Sequence, residues 1–244
     1  IDFSAFECCS KMINISVVSD NPNYSSVEGV LFSKDLKVLV FYPKGKDLQD
    51  YSIPNSVTSI APYAFSYCSH LTSVKLPLTV TSIGNNAFNS CTQLKSINLP
   101  DGIKSIPKSC FSYCPLEDVT IPPSVQLIGN LAFAECSKLK SILIPPGVIH
   151  IEGSAFCNCQ EADVLYIPST VKSIACGAFD GCSSLRKIVV DPDNKVFTAI
   201  HNVLFTKDLT TLLRYPSGND SSFYKVPAGV TSIGNYAFTQ CFNL

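Results

Sequence analysis

Twelve cysteines carry the greatest chemical potential in this 244-residue chain, and their spacing decides what they can do. Eight of them (Cys9, Cys68, Cys91, Cys114, Cys136, Cys159, Cys182 and Cys241) stand three residues beyond a phenylalanine: Phe6, Phe65, Phe88, Phe111, Phe133, Phe156, Phe179 and Phe238. If one such pair falls in each turn of a repeating chain, neighbouring cysteines lie one strand spacing apart, roughly 4.8 Å, with parallel side chains. That separation is inside the Cα range of a disulfide, but parallel side-chain vectors suit the bond poorly. Zinc needs ligands at tetrahedral corners, and a line of thiols does not provide them. A buried ladder of thiols packing as small hydrophobes fits the spacing; disulfides within the ladder are the alternative. Cys8, Cys110, Cys157 and Cys176 lie off the ladder. Cys157 is two residues from Cys159, yet the nearby sequence offers no further pair of metal ligands, so packing is expected there too.

Other reactive groups are dispersed. The three histidines, His70, His150 and His201, fall in different repeat contexts, with no local base, nucleophile and orienting group around any of them. They read as surface residues, with His150 facing outward on a strand. The tight carboxylate pairs, Glu117 with Asp118 and Glu161 near Asp163, read as solvated charge, and no Gly-rich phosphate loop is present. The sequence therefore predicts no enzyme, no cofactor and no metal. Eighteen basic residues against nineteen acidic ones give a net charge of -1, without the clustered positive field that nucleic acid would reward. No apolar stretch reaches the roughly 18 residues of a membrane span. Sequons at Asn14, Asn23 and Asn219 are compatible with secretion.

The elements that carry these residues are periodic. Pro54, Pro77, Pro100, Pro122, Pro145 and Pro168 are separated by 23, 23, 22, 23 and 23 residues, a solenoid period. Each proline is followed by an apolar pair three apart, such as Val57 and Ile60, and then by the aromatic and the cysteine. Each unit closes on a segment such as Leu71, Val74, Leu76, whose alternation suits a half-buried strand ended by the next proline. One unit of this size cannot bury its own apolar face, but stacking puts Phe on Phe and Leu on Leu. The whole chain, 1–244, reads as one solenoid.

Two segments break the period in the same way. Val17 to Pro54 and Val190 to Pro227 each span 37 residues, 36 more than a regular unit needs, and they match at a constant offset of 173. Val30, Leu31 and Phe32 match Val203, Leu204 and Phe205; Lys34 and Asp35 match Lys207 and Asp208; Tyr42 and Pro43 match Tyr215 and Pro216. The inserts, 18–53 and 191–226, each contain two β-rich runs separated by a short polar stretch, which predicts a hairpin leaving the solenoid.

The pattern running from Cys91 through Leu94, Ile97, Leu99, Pro100, Ile103 and Ile106 to Phe111, with GVLF, KDL and YP in the inserts, resembles the BspA-like class of leucine-rich repeats. The resemblance covers essentially the whole chain. It implies an arc-shaped, mainly β solenoid with a parallel sheet and two inserted hairpin modules. It also implies a cell-surface or secreted adhesion protein that binds a protein or glycan on host or neighbouring cells through its sheet face or its hairpins. A structural spacer or cytoplasmic scaffold is the alternative, favoured by the many thiols. Two positions depart from the pattern: Cys110 where Ala precedes the ring elsewhere, and Ala162 where the strand has Leu.

On the closing strands the outward residues run Ser73 and Lys75, Ser96 and Asn98, Asp118 and Thr120, Ser141 and Leu143, Val164 and Tyr166, Lys187 and Val189. The series turns apolar, so Leu143, Val164, Tyr166 and Val189 form the candidate ligand-binding patch. A hairpin folding back after Val190, or a strand phase shifted by one, would bury them instead. The first and last coils lack a polar capping unit, which makes self-association at the ends an expectation. If the cysteines are reduced, all twelve react with a thiol reagent in denaturant; a clearly smaller count would establish disulfides.

Overall fold

The computed structural model describes residues 3–6 and 8–244. Each rung follows from its residue order. The strand-ending proline has no N–H for the ladder, and its carbonyl instead accepts the N–H three residues on, as Pro77 O does from Val80 at 3.1 Å and Pro122 O from Val125 at 3.1 Å. This tight turn delivers a two-residue strand, Ser82–Ile83 in one rung and Leu127–Ile128 in another, whose isoleucine points inward. The aromatic segment comes next, and a turn at the cysteine leads to the closing strand.

Three ladders hold the rungs together. The closing strands pair in parallel, Asp50–Ser52 with Ser73–Lys75 and Ser96–Asn98, and further along Ser141–Leu143 with Val164–Ile167 and Lys187–Val190. The rung between these groups lacks a closing strand; it is the rung that is one residue short. The two-residue strands form a second set of parallel pairings in two pieces, Ser59–Ile60 with Ser82–Ile83, and Ser105–Ile106 through Leu127–Ile128 and His150–Ile151 to Ser173–Ile174. The third consists of stacked turns, in which Tyr63, Phe65 and Tyr67 donate N–H groups to the carbonyls of Asn85, Ala87 and Asn89 at 3.0, 2.8 and 2.8 Å. The same three bonds recur from Asn86, Phe88 and Ser90 to the next rung.

The stacked turns impose a backbone strain that the sequence conceals. Two positions per rung, flanking the Ala-Phe pair, lie in the left-handed region: Tyr63 and Tyr67 at φ 60° and 63°, Ser109 and Tyr113 at 51° and 61°, Leu131 and Glu135 at 58° and 62°. Side-chain-bearing residues enter this region at a cost of about 1–2 kcal/mol each. Stacking overrides it.

Inside, the rings form one column. Phe65, Phe88, Phe111, Phe133, Phe156 and Phe179 stack with centroids 4.9 to 5.8 Å apart and planes within 19° of parallel. Each buried phenylalanine contributes about 1.5–3 kcal/mol by burial. Beside them, the thiols of Cys91, Cys114, Cys136, Cys159 and Cys182 point at the carbonyls of Phe65, Phe88, Phe111, Phe133 and Phe156, 3.0 to 3.3 Å away. All twelve cysteines are free, and Cys9 and Cys241 are only half-buried. Burial pushes the thiols of Cys114, Cys136 and Cys159 well above the ordinary range. The departures at Cys110 and Ala162 are fully buried and leave the column intact.

The inserts differ from a simple hairpin. Val30–Ser33 and Val38–Phe41 do form an antiparallel pair, but Tyr24–Val27 adds a third strand on the outer side. The last of the three then pairs in parallel with Ser59–Ile60, so it re-enters the solenoid as a rung of the second ladder. Tyr42 follows it into the ring column, 5.2 Å from Phe65. The second insert repeats this with Phe197–Ile200, Val203–Thr206 and Thr211–Arg214, and Tyr215 stacks on Phe238 at 5.4 Å.

The KDL motif is the device that turns the chain. Asp35 Oδ1 accepts Ser33 Oγ at 2.7 Å and the Lys37 N–H at 3.1 Å; Asp208 Oδ1 accepts Thr206 Oγ1 at 2.7 Å and the Thr210 N–H at 3.0 Å. Bonds from these hydroxyls, then from the backbone, hold both carboxyls below the ordinary 3.8. The resulting stabilisation is full above the unfolded pKa and disappears as pH falls through the lower folded value.

Two substitutions two residues apart are expected to act in opposite directions. Phe111→Ala removes a ring from the column and destabilises by about 3–5 kcal/mol. Tyr113→Gly relieves an exposed left-handed residue and stabilises by roughly 1 kcal/mol, raising the melting temperature about 2–4 °C. Thermal and denaturant unfolding check both.

Candidate binding surface

Alternation along the closing strands sets which side chains face out. Ile142, Leu165 and Ile188 are buried at 0–2% exposure, while Leu143 is 58% exposed and Val164, Tyr166 and Val189 are half-buried. Parallel register places Leu143 opposite Tyr166 and Tyr166 opposite Val189. Val164 lies two residues back on the same face, between Ser141 and Lys187. The four candidate residues thus come together across three adjacent strands, and neither the shifted phase nor full burial by the following insert occurs. The Tyr166 hydroxyl reaches Asp191 Oδ2 at 3.4 Å, and burial, followed by that carboxylate, raises its pKa. The same face of the earlier rungs is polar, with Ser52, Lys75 and Asn98 in register.

The dispersed reactive groups acquire neighbours that the linear sequence does not advertise. His150 Nδ1 lies 2.7 Å from Ser173 Oγ, exactly one rung away, on the second ladder. The nearby Glu152 accepts the Asn130 N–H at 2.7 Å. His70 Nδ1 lies 3.4 Å from Asp47 in an exposed pair. Among the described residues no three His, Cys, Asp or Glu side chains are arranged to hold a metal ion, and no helix is long and apolar enough to cross a membrane.

One polar centre went unseen in the sequence. Arg214, only 4% exposed, donates from Nη1 to Asp180 Oδ1 at 3.0 Å and to the Tyr236 carbonyl at 2.9 Å. Its Nη2 donates to Ser217 Oγ at 2.8 Å. Burial raises the Asp180 carboxyl more than Arg214 lowers it. The detectable signal was the 173-residue offset, under which Arg214 matches Phe41.

The repeat pattern described as BspA type leucine rich repeat region matches residues 34–115 and 104–244 in six copies. The chain belongs to this family. BspA-type repeats are therefore the framework on which the patch and the buried arginine sit. Solved structures agree. The pneumococcal vaccine antigen PcpA superposes with a TM-score of 0.74 at 26% identity, over 92% of this chain and 62% of that one. A leucine-rich cell surface protein from Faecalibacterium prausnitzii gives a TM-score of 0.70 at 28% identity, over 92% of this chain and 69% of that one. A leucine-rich repeat protein from Eubacterium ventriosum gives 0.59 at 28% identity, over 70% of this chain and 53% of that one. This chain thus spans less than two thirds of PcpA and of the E. ventriosum protein. No curated protein matches.

Removing Asp180 tests how far the BspA-type framework depends on the buried pair. Asp180→Ala leaves Arg214 charged and uncompensated and is expected to destabilise the second insert by about 3–5 kcal/mol, measured by denaturant unfolding and hydrogen exchange over 203–214.

Proposed function

We propose that this chain is a non-enzymatic recognition module, displayed on a cell surface or secreted. It holds a protein or glycan of a host or neighbouring cell against the outward face of its closing strands. The observation that carries the proposal is the in-register patch of Leu143, Tyr166 and Val189 with Val164 beside it. Apolar side chains clustered on an outward face, Leu143 exposed and the other three half-buried, suit a contact surface, and tyrosine is a frequent energetic anchor in such contacts. Membership of a repeat family and similarity to a protein described as cell-surface support the location. A cytoplasmic scaffold is the second reading, favoured by twelve free thiols in a fold that needs no disulfide.

Binding of the purified chain to host cells and to extracellular matrix, compared for the wild type and Tyr166→Ala, tests the proposal. Affinity is expected to fall about tenfold or more, as for a hot-spot residue, with the melting temperature nearly unchanged. Equal binding by the variant would move the contact elsewhere, and a large loss of stability would make Tyr166 a core residue.

A further inference from the structure

Among the described residues the continuous ring column that runs from Tyr42 and Phe65 stops at Phe179. Phe179 stacks on Phe156 at 5.8 Å, but among the described residues no aromatic side chain meets its other side; the column resumes with Tyr215 on Phe238. The buried core divides at the same point. At the matching point of the first insert the gap is closed, because Phe41 stacks on Phe6 with centroids 4.5 Å apart and planes at 26°. The second insert has Arg214 in that position, whose Nη1 and Nη2 donate to Asp180, Ser217 and the Tyr236 carbonyl while its buried Nε has no partner. What remains is a pocket of about 240 Å³, open to solvent and walled by Ile174, Phe179, Leu204 and Leu213.

A second substitution widens its mouth. The first left-handed position of the rung carries a side chain in the neighbouring rungs, Leu131 and Ser154, and again at Tyr236, but here it is Gly177, at φ +72°. A Cβ at Gly177 would stand 3.2 Å from Asp180 Oδ2, so that oxygen borders the opening. Oδ1 is taken by Arg214; Oδ2 is left as an acceptor at the pocket's edge. Charge is balanced by the Arg214–Asp180 pair, which favours neither a free anion nor a free cation.

We infer that this pocket binds a flat aromatic group bearing one hydrogen-bond donor, an indole or phenol. The ring lies between Phe179 and Leu213, beside the Arg214 side chain that stands where the first insert has Phe41, and its N–H or O–H donates to Asp180. The size agrees: a cavity of about 150 Å³ takes benzene, so 240 Å³ accommodates a fused bicyclic ring. Arg214 in place of Phe41, and Gly177 where neighbouring rungs carry a side chain, both border this space, and the strand pairing of the insert is the same in both modules. The pocket is distinct from the Tyr166 patch and does not depend on it.

Indole is the probe. The chain contains no tryptophan, so indole fluorescence excited beyond the tyrosine band reports binding without background. The expected dissociation constant is roughly 0.1–1 mM for a ligand of this size. Arg214→Phe, which reproduces the first insert, is expected to weaken binding at least tenfold; Leu213→Phe fills the pocket from another wall and serves if Arg214→Phe does not fold. Benzothiophene has the shape of indole without its donor and is expected to bind about tenfold more weakly. Failure of the wild type to bind indole, or undiminished binding by a folded filled variant, overturns the pocket assignment. Equal affinity for benzothiophene overturns the role given to Asp180.

Discussion

The structure depends on contact between residues about 23 apart in sequence. Within one rung the chain makes tight turns and short strands that would not survive alone. Outside the antiparallel strands of the inserts, the hydrogen-bond ladders and the ring stack join a rung to the next. This is why left-handed backbone is tolerated at residues as large as Tyr63 and Leu131. The local cost falls on each rung separately, whereas three interlocked ladders and a stacked ring oppose its relief.

Much of this was legible in the chain. The period was visible because like residues must lie over like, and the Phe and Cys columns satisfied that condition at every regular rung. The outward face was read in the phase that the structure has, but the sequence left a shift by one residue open, and the burial of Ile142, Leu165 and Ile188 decides it. The strand Tyr24–Val27 was hidden: its YSSV sequence has no apolar alternation, and it exists only because Val30–Ser33 offers an edge. The His150–Ser173 contact also escaped notice, since residues one rung apart are neighbours in space and strangers in sequence. The left-handed positions were masked for another reason. In most rungs Tyr, Asn, Ser, Leu and Glu occupy them and do not announce the conformation as Gly177 and Gly181 do in theirs.

The inserts join two roles. Their outer strands leave the stack, but Val38–Phe41 and Thr211–Arg214 return to it, and Tyr42 and Tyr215 replace phenylalanine in the column. Each insert is thus a rung with added strands, and its core positions remain subject to the column's geometry. That constraint makes the difference between Phe41 and Arg214 meaningful. In a loose loop the exchange would have no structural consequence; in a stack with ring spacings near 5 Å it opens a space of defined shape.

The thiols have a consequence of another kind. Five consecutive rungs each carry a buried sulfur directed at a carbonyl of the rung before. Such a sulfur is protected from alkylation while its rung stays closed and becomes reactive when the rung opens. The chain therefore carries a row of natural chemical clocks along its axis. The order in which they are labelled would record where the solenoid breathes, and whether it opens from its ends or at the break beside Phe179.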